Sequence, residues 1–216
     1  MIGQGVLREC LLDPDIKRVV TVGRSSVGAT NPKLRDVVTK DLFDLSSIEQ
    51  DLADIDACFF CLGVTSIGMS EEAYTHITHD LTVSIAETLL KLNPQMGFVF
   101  VSGRSTDSTE GGSVMWARVK GKAENAVLRM RFKWAYVFRP AFIQPMHGIK
   151  SRTALYRIPY MLMSPFTPLL RRAFPNTVTT TEIVGRAMIN VAKNRYPKPI
   201  LETEDINIAG SVSERR

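Results

Sequence analysis

Residues 97–105 read Gly-Phe-Val-Phe-Val-Ser-Gly-Arg-Ser, a short apolar run followed by a polar turn that contains glycine. Ala57–Cys61 has the same character, and both runs are typical of parallel strands that are buried on both faces of a sheet. Runs rich in Val or Phe predict three more strands, at Arg18–Val22, Arg35–Thr39 and Trp134–Phe138.

Helical patterns lie between and after these strands. They cover Gly3–Leu12, Ser46–Leu52, Glu71–Leu92, Met115–Arg131 and Thr181–Lys193. Alternation of this kind predicts an α/β fold, a Rossmann-like doubly wound parallel sheet with right-handed crossovers. Ile206–Ala209 is predicted to form a last edge strand.

The first residues, Met-Ile-Gly-Gln-Gly-Val-Leu, match the end of a dinucleotide-binding turn and the helix that follows it. A strand and further glycines normally precede such a turn, and that first strand is central in a sheet of order 3-2-1-4-5-6. We therefore expect the first strand to be missing from this chain. Either the natural chain begins roughly ten residues upstream, enough for one strand and its turn, or another segment fills the position.

The 216 residues predict one domain, 1–216, with residues 140–176 and their six prolines as a cap on the substrate side. A net charge of +5 suits an anionic small molecule, whereas no dense basic tract favours nucleic acid. The three cysteines indicate a reducing compartment. No signal peptide is evident and no run of apolar residues is long enough for a membrane span, so we expect a cytoplasmic protein.

Glycines and one arginine indicate a nucleotide site. Gly3 and Gly5 at a helix start would let a pyrophosphate approach the helix amides closely, although both could also be tolerated at a frayed terminus. Arg24 follows the second predicted strand about twenty residues after Gly3, where NAD-binding proteins carry an acidic residue. The sequence Arg24-Ser25-Ser26 favours a 2′-phosphate, and therefore NADP(H) over NAD(H), against the alternative of an exposed loop arginine.

Other positions at predicted strand ends complete this site. Asp41 and Leu42 could flank an adenine ring, and Gly63 would permit close approach of the cofactor. Cys58 and Cys61 point to opposite faces of a strand, so we expect core cysteines there. A metal site at His76 and His79 is disfavoured because no third ligand lies at a motif spacing, and we expect no metal.

Residues 99–105 together with Met115-Trp-Ala-Arg-Val-Lys-Gly-Lys-Ala-Glu124 resemble the short-chain dehydrogenase/reductase superfamily, in its atypical NAD(P)-binding branch of epimerase-like and Tat-interacting-protein-like members. The resemblance covers almost the whole chain. It implies that Arg139 and Pro140 lie at the cofactor. It also implies a serine at a strand end and a Tyr-x-x-x-Lys pair on one helix. These positions are held by Ser102 or Ser105, by Trp116 in place of the tyrosine, and by Lys120.

The tryptophan leaves two functions open, because an indole donates a hydrogen bond but has no useful acidity. The first is an oxidoreductase or epimerase-like enzyme acting on an unidentified small-molecule substrate. The second is a catalytically silent NADP(H)-binding regulator or scaffold. Tyr156 and Tyr160 in the cap could supply another phenol, and the cap segment Leu155–Phe174 could form a lid that faces a substrate or a partner. The resemblance also allows a homodimer through the helices at 71–92 and 115–131.

Overall fold

The computed structural model describes residues 1–149, 174 and 176–211. The strands are β1 Val19–Gly23, β2 Leu34–Val38, β3 Ala57–Phe60, β4 Gly97–Val101, β5 Trp134–Arg139, β6 Phe142–Gln144, β7 Val178–Thr180 and β8 Ile200–Glu202. The α-helices are α1 Ile2–Leu12, α2 Glu71–Thr75, α3 Leu81–Leu92, α4 Met115–Arg129, α5 Thr181–Asn194 and α6 Thr203–Ser211. A π-helical turn, His76–Asp80, joins α2 to α3.

The strands form parallel sheets, which confirms the predicted α/β class. β3, β4, β5 and β8 make a four-stranded sheet in that order, while β1 pairs with β2 and β6 pairs with β7. The five strands predicted from apolar runs all form, each within one residue of its predicted ends.

Strand β4 is the centre of the core, and all five of its residues are buried. Phe98 and Phe100 pack against α3 and α4, whereas Val99 and Val101 pack against α1 and α5 on the other face. The prediction of a strand buried on both faces is therefore confirmed. Helices on both sides of a parallel sheet are what a doubly wound fold requires.

Strand β1 pairs with β2, and strand β3 pairs with β4. On its other side, neither strand has a partner strand within the described part of the chain. Val19 and Phe59 contribute to the α1/α5 cluster, and Val20 and Cys58 contribute to the α3/α4 cluster. Since both strands supply residues to both clusters, they belong to one layer. Helix α1 contacts both of them. The expected interruption of the sheet thus falls between β1 and β3.

The prediction of an edge strand at Ile206–Ala209 is wrong. These residues lie in α6, where Ile206 and Ala209 share one buried face three positions apart. Asp205 sits in the first turn and accepts a hydrogen bond from the backbone N–H of Glu202 at 3.0 Å. The last strand instead precedes the helix and buries Leu201 completely.

The helix predicted at Ser46–Leu52 is present only as a short 3₁₀ helix, Ser46–Ile48. Its backbone bonds span three residues rather than four, with the N–H of Ile48 donating to Leu45 and that of Asp51 donating to Ile48, both at 3.0 Å. Asp54 then adopts a positive φ of 57°. Two buried leucines, Leu45 and Leu52, hold this segment against the α3/α4 cluster.

Most of the predicted cap, including Tyr156, Tyr160 and the segment Leu155–Phe174 apart from Phe174 itself, lies outside the described residues. The described residues near it are those of β6 and β7, which pair in parallel. The division of the chain into one domain with a cap stays a prediction. None of the helices among the described residues has the length and hydropathy needed to cross a bilayer.

Candidate functional site

The carboxyl ends of β3, β4 and β5 form one rim, as the parallel pairing requires. The backbone N–H of Ser102 donates to Phe138 at 2.8 Å, and that of Arg104 donates to the carbonyl of Pro140 at 3.1 Å. A Cβ added at Gly63 or at Gly103 would meet no atom within 4 Å. Ligands of open α/β sheets bind outside this edge, and here the rim faces open space at two glycines.

Ser102 directly follows β4 and is buried. Its Oγ lies 3.0 Å from Oγ1 of Thr106, which in turn donates to the carbonyl of Gly103 at 2.8 Å. Because Thr106 has a single hydroxyl proton, Ser102 is the donor between the two hydroxyls and keeps its lone pairs available. Thr106 was not among the residues predicted for the site, and its spacing of four from Ser102 is the only signal in the sequence. Ser105 is exposed, with φ 67°.

Lys120 lies on the inner side of α4. Its Nζ is 5.9 Å from the centroid of the Phe100 ring in β4. Burial lowers the pKa of Lys120, and the nearby carboxylate of Glu124 partly opposes that change. Trp116 is half-buried one helical turn earlier. The ammonium group thus packs against the central strand, on the helix that follows the Ser102 loop.

The loop between β4 and α4 is held by Asp107. Its carboxylate accepts hydrogen bonds from the N–H of Thr109 at 2.9 Å and from the N–H of Gly112 at 2.6 Å. Its own N–H donates to the carbonyl of Ala117 in α4 at 3.1 Å. The hydroxyl of Thr109 and these amides hold the pKa of Asp107 below its usual range.

Arg139 and Pro140 end β5 beside the same loop. The guanidinium of Arg139 pairs with Glu124 of α4, which is completely buried, and its Nε lies 3.0 Å from Oε1. The half-buried Glu202 lies 3.6 Å from the same arginine. Pro140 is buried and offers its carbonyl to Arg104. The geometry therefore gives Arg139 a structural partner, and a contact of either residue with a cofactor stays a prediction.

The amino terminus of α1 lies at the end of β3. A Cβ on Gly3 would be 3.4 Å from Cβ of Cys61. A Cβ on Gly5 would lie 2.6 Å from Cβ of Thr181 and 2.7 Å from its carbonyl oxygen, so Gly5 is required where α1 crosses α5. Only Gly3 is therefore placed at the rim, and helix packing accounts for Gly5.

Arg24 is exposed immediately after β1, and its guanidinium makes no ion pair among residues 1–149 and 176–211. Ser26 differs from the expectation, because its hydroxyl donates to Asp36 at 2.6 Å. Asp41 accepts from the N–H of Phe43 at 2.8 Å, and Leu42 is buried in the α3/α4 cluster. The roles of Asp41 and Leu42 at an adenine ring stay predictions.

The cysteines and histidines considered as metal or redox residues make contacts within the protein. Cys58 packs in the α3/α4 cluster and Cys61 in the α1/α5 cluster, which confirms that they face opposite sides of the sheet. Burial raises the pKa of both thiols. His76 and His79 lie 3.6 Å and 2.8 Å from carboxylate oxygens of Asp80. The described residues contain no group of three side chains able to hold a metal.

The fold of this chain has counterparts among known proteins. No family model matches the chain. It is 29% identical over 149 residues to the protein fmp52-1, mitochondrial, of Aspergillus terreus, and 25% identical over 150 residues to the protein fmp52, mitochondrial, of Emericella nidulans. Each match covers 66% of this chain but only 62% and 63% of the relatives, so the chain spans less than two thirds of their length.

Solved structures share the fold over nearly the whole chain. MoeE5 in complex with UDP-glucuronic acid and NAD has a TM-score of 0.63 at 19% identity, covering 92% of this chain and 71% of MoeE5. Pal from Bacillus thuringiensis has a TM-score of 0.64 at 16% identity, covering 98% and 80%. UDP-N-acetylglucosamine 4-epimerase from Bacillus cereus scores 0.60 at 15% identity, covering 96% and 78%. These matches confirm the predicted Rossmann-like α/β fold.

Proposed function

We propose that this protein binds a nicotinamide dinucleotide and acts as an oxidoreductase or epimerase-like enzyme on a small molecule. The observation that carries the proposal is the position of Lys120. Its ammonium packs against Phe100 of the central strand, on the helix that follows Ser102. An ammonium at this place can donate to the hydroxyl groups of a ribose.

The described residues fit such a cofactor. Gly63 and Gly103 leave the rim open, and the amino terminus of α1 at Gly3 presents backbone N–H groups that attract a phosphate. The bound nicotinamide would supply hydride transfer. Ser102 would accept a hydrogen bond from a substrate hydroxyl, since its own proton is donated to Thr106.

A preference for NADP(H) over NAD(H) is part of the proposal. Arg24 is exposed after β1 without an ion-pair partner among the described residues, so its guanidinium is available to a 2′-phosphate. The substrate is proposed only as a class. Since MoeE5, which has the same fold, is in complex with UDP-glucuronic acid and NAD, nucleotide sugars are the first compounds to test.

Measurements of dinucleotide binding test this proposal. We expect the nicotinamide fluorescence of NADPH to change on titration with the protein, with weaker binding of NADH. Lys120→Met should weaken NADPH binding about tenfold or more, the usual scale of one lost charge-assisted hydrogen bond. Lys122→Met, on the same helix, is the matched control and should bind like the wild type. Absence of binding of either dinucleotide would overturn the proposal.

Trp116 supports a second function, that of a silent NADP(H)-dependent regulator or scaffold. The indole stands one turn before Lys120, where a proton-transferring phenol is expected. In this case the protein would bind NADPH with the same dependence on Lys120 but would turn over none of the nucleotide sugars. Turnover of UDP-glucose or UDP-glucuronic acid by the wild-type protein would exclude this second function.

A further inference from the structure

The turn after β1 is tied to strand β2 by one carboxylate. Asp36 lies in the middle of β2, opposite Thr21 of β1. Its Oδ1 accepts from the Thr21 hydroxyl at 2.7 Å, and its Oδ2 accepts from the Ser26 hydroxyl at 2.6 Å and from the N–H of Val27 at 2.9 Å. Asp36 therefore joins the strand pair to the loop that carries Arg24.

The hydrogen bonds to Asp36 hold one end of the loop, and the last residue of β1 holds the other end. The carbonyl of Gly23 accepts from the N–H of Thr39 at 3.0 Å, which extends the β1–β2 pairing to the last residue of β1. The Ser26 hydroxyl also accepts from the N–H of Gly28 at 3.1 Å. Between the two attachments only Arg24 and Ser25 remain, so both ends of this dipeptide are held.

The same contacts determine which groups of the loop can meet a ligand. The Ser26 proton is donated to Asp36 and its oxygen accepts from Gly28, so Ser26 has little capacity left for an anion. The guanidinium of Arg24 and the hydroxyl of Ser25 are both exposed on the held dipeptide. An arginine beside a hydroxyl suits the oxygens of a phosphate monoester.

We propose that Asp36 is a positioning residue that selects for the adenosine 2′-phosphate by holding Arg24 and Ser25 in place. This inference rests on the proposed function, because it assumes that a dinucleotide occupies the rim. Asp36 would not contact the phosphate itself, because its carboxylate is directed toward Thr21, Ser26 and Val27. A loop that is already ordered loses less entropy when the ligand binds, and this favours the ligand that contacts the loop.

The test measures the dissociation constants of NADPH and NADH for the wild type, Asp36→Asn and Asp51→Asn. Asparagine is neutral, so the hydrogen bonds that Ser26 and Val27 donate to this side chain lose their charge assistance, and its amide N–H needs the Thr21 hydroxyl as an acceptor. The attachments of the loop are therefore weakened. We expect Asp36→Asn to reduce the NADPH preference about tenfold, through weaker NADPH binding alone. Asp51, which pairs with Arg35 of the same strand at 2.8 Å, is the control and should leave both constants unchanged.

A double variant separates positioning from a general loss of structure. If Asp36 acts through Arg24 and Ser25, the pair Arg24→Ala with Asp36→Asn should lose less NADPH affinity than the sum of the two single losses, because coupled residues are not additive. Additive losses, or an equal weakening of NADPH and NADH by Asp36→Asn, would overturn the inference while leaving the proposed function intact. A wild-type protein that binds neither dinucleotide would instead overturn the proposed function and this inference with it.

Discussion

The carbonyl oxygen of Asp107 lies 1.8 Å from the place that a Cβ on Gly121 would occupy. Helix α4 can therefore approach the β4–α4 loop this closely only because residue 121 has no side chain. Gly121 directly follows Lys120, and Asp107 belongs to the loop that begins at Ser102. This contact fixes the position of helix α4, which carries Lys120, relative to the loop that begins at Ser102.

Gly121→Ala should therefore destabilise the protein and weaken dinucleotide binding together. Overpacking at a backbone contact costs about 1–3 kcal/mol, and relief by movement of α4 would displace Lys120 from its place over Phe100. Urea unfolding and NADPH titration measure the two effects. Gly111→Ala is the control, since its Cβ would meet no atom closer than 3.9 Å. Equal stability of the two variants would contradict this role of Gly121.

Glu124→Gln should be strongly destabilising. Glu124 is completely buried against Arg139, and loss of one partner of a buried pair costs about 3–5 kcal/mol because the other charge stays buried. Thermal unfolding provides the measurement. The comparison is Glu202→Gln, the more exposed partner of the same arginine at 3.6 Å, for which we expect less than about 1 kcal/mol. If Glu202→Gln destabilises the protein more than Glu124→Gln does, the pair of Glu124 with Arg139 contributes less stability than its burial implies.

Gly5→Ala and Gly3→Ala should separate helix packing from cofactor binding. Alanine at position 5 would collide with Thr181, so we expect a loss of about 1–3 kcal/mol from the α1–α5 contact. Alanine at position 3 would meet Cys61 at 3.4 Å, an ordinary contact, and should leave stability nearly unchanged while it hinders a phosphate at the helix terminus. Chemical denaturation and NADPH titration of both variants test this, and an unchanged stability of Gly5→Ala would be the contrary result.

Trp116→Tyr should place a phenol of lowered pKa one helical turn before Lys120. Residues four apart lie on one helix face, so the Lys120 ammonium would lower the pKa of the new phenol below its usual value of about 10. Ultraviolet absorbance of the phenolate, measured as a difference from wild type, follows this titration without any substrate. In the double variant with Lys120→Met the pKa should return toward its usual value. If the phenol of Trp116→Tyr keeps its usual pKa, Lys120 lies too far from position 116 to assist proton transfer by a tyrosine there.

The Asp107 loop should be insensitive to pH over the neutral range. Hydrogen bonds from Thr109 and Gly112 hold the pKa of Asp107 below its ordinary value of 3.8 in the folded state. A lowered pKa means that the stabilising effect is present above the unfolded value and is lost as the pH falls through the folded value. Amide exchange of Gly112, corrected for its intrinsic rate, should stay slow from about pH 8 to about pH 5 and rise only below about pH 4. If the exchange rate of Gly112 rises near neutral pH, the loop is controlled by the titration of a group other than Asp107.

Local patterns were enough to predict much of this fold. The apolar run at Gly97–Val101 predicts a doubly buried strand, and the structure confirms it with identical ends. The same reasoning failed at Ile206–Ala209, because a short apolar pattern does not distinguish the buried side of a helix from a strand. There the acidic first turn of α6 and its bond to Glu202 favour the helix.

The amino-acid order sufficed for the alternation of strands and helices, and for placing Ser102 directly after a strand with Trp116 and Lys120 on the following helix, because these depend on periodicities of a few residues. Only the folded chain shows that Arg139 pairs with Glu124, that Gly5 is needed by Thr181, and that Asp36 holds the loop after β1. Such pairs join residues between 10 and 176 positions apart or on different elements, and their contacts arise when α-helices pack on a sheet, which no local pattern encodes.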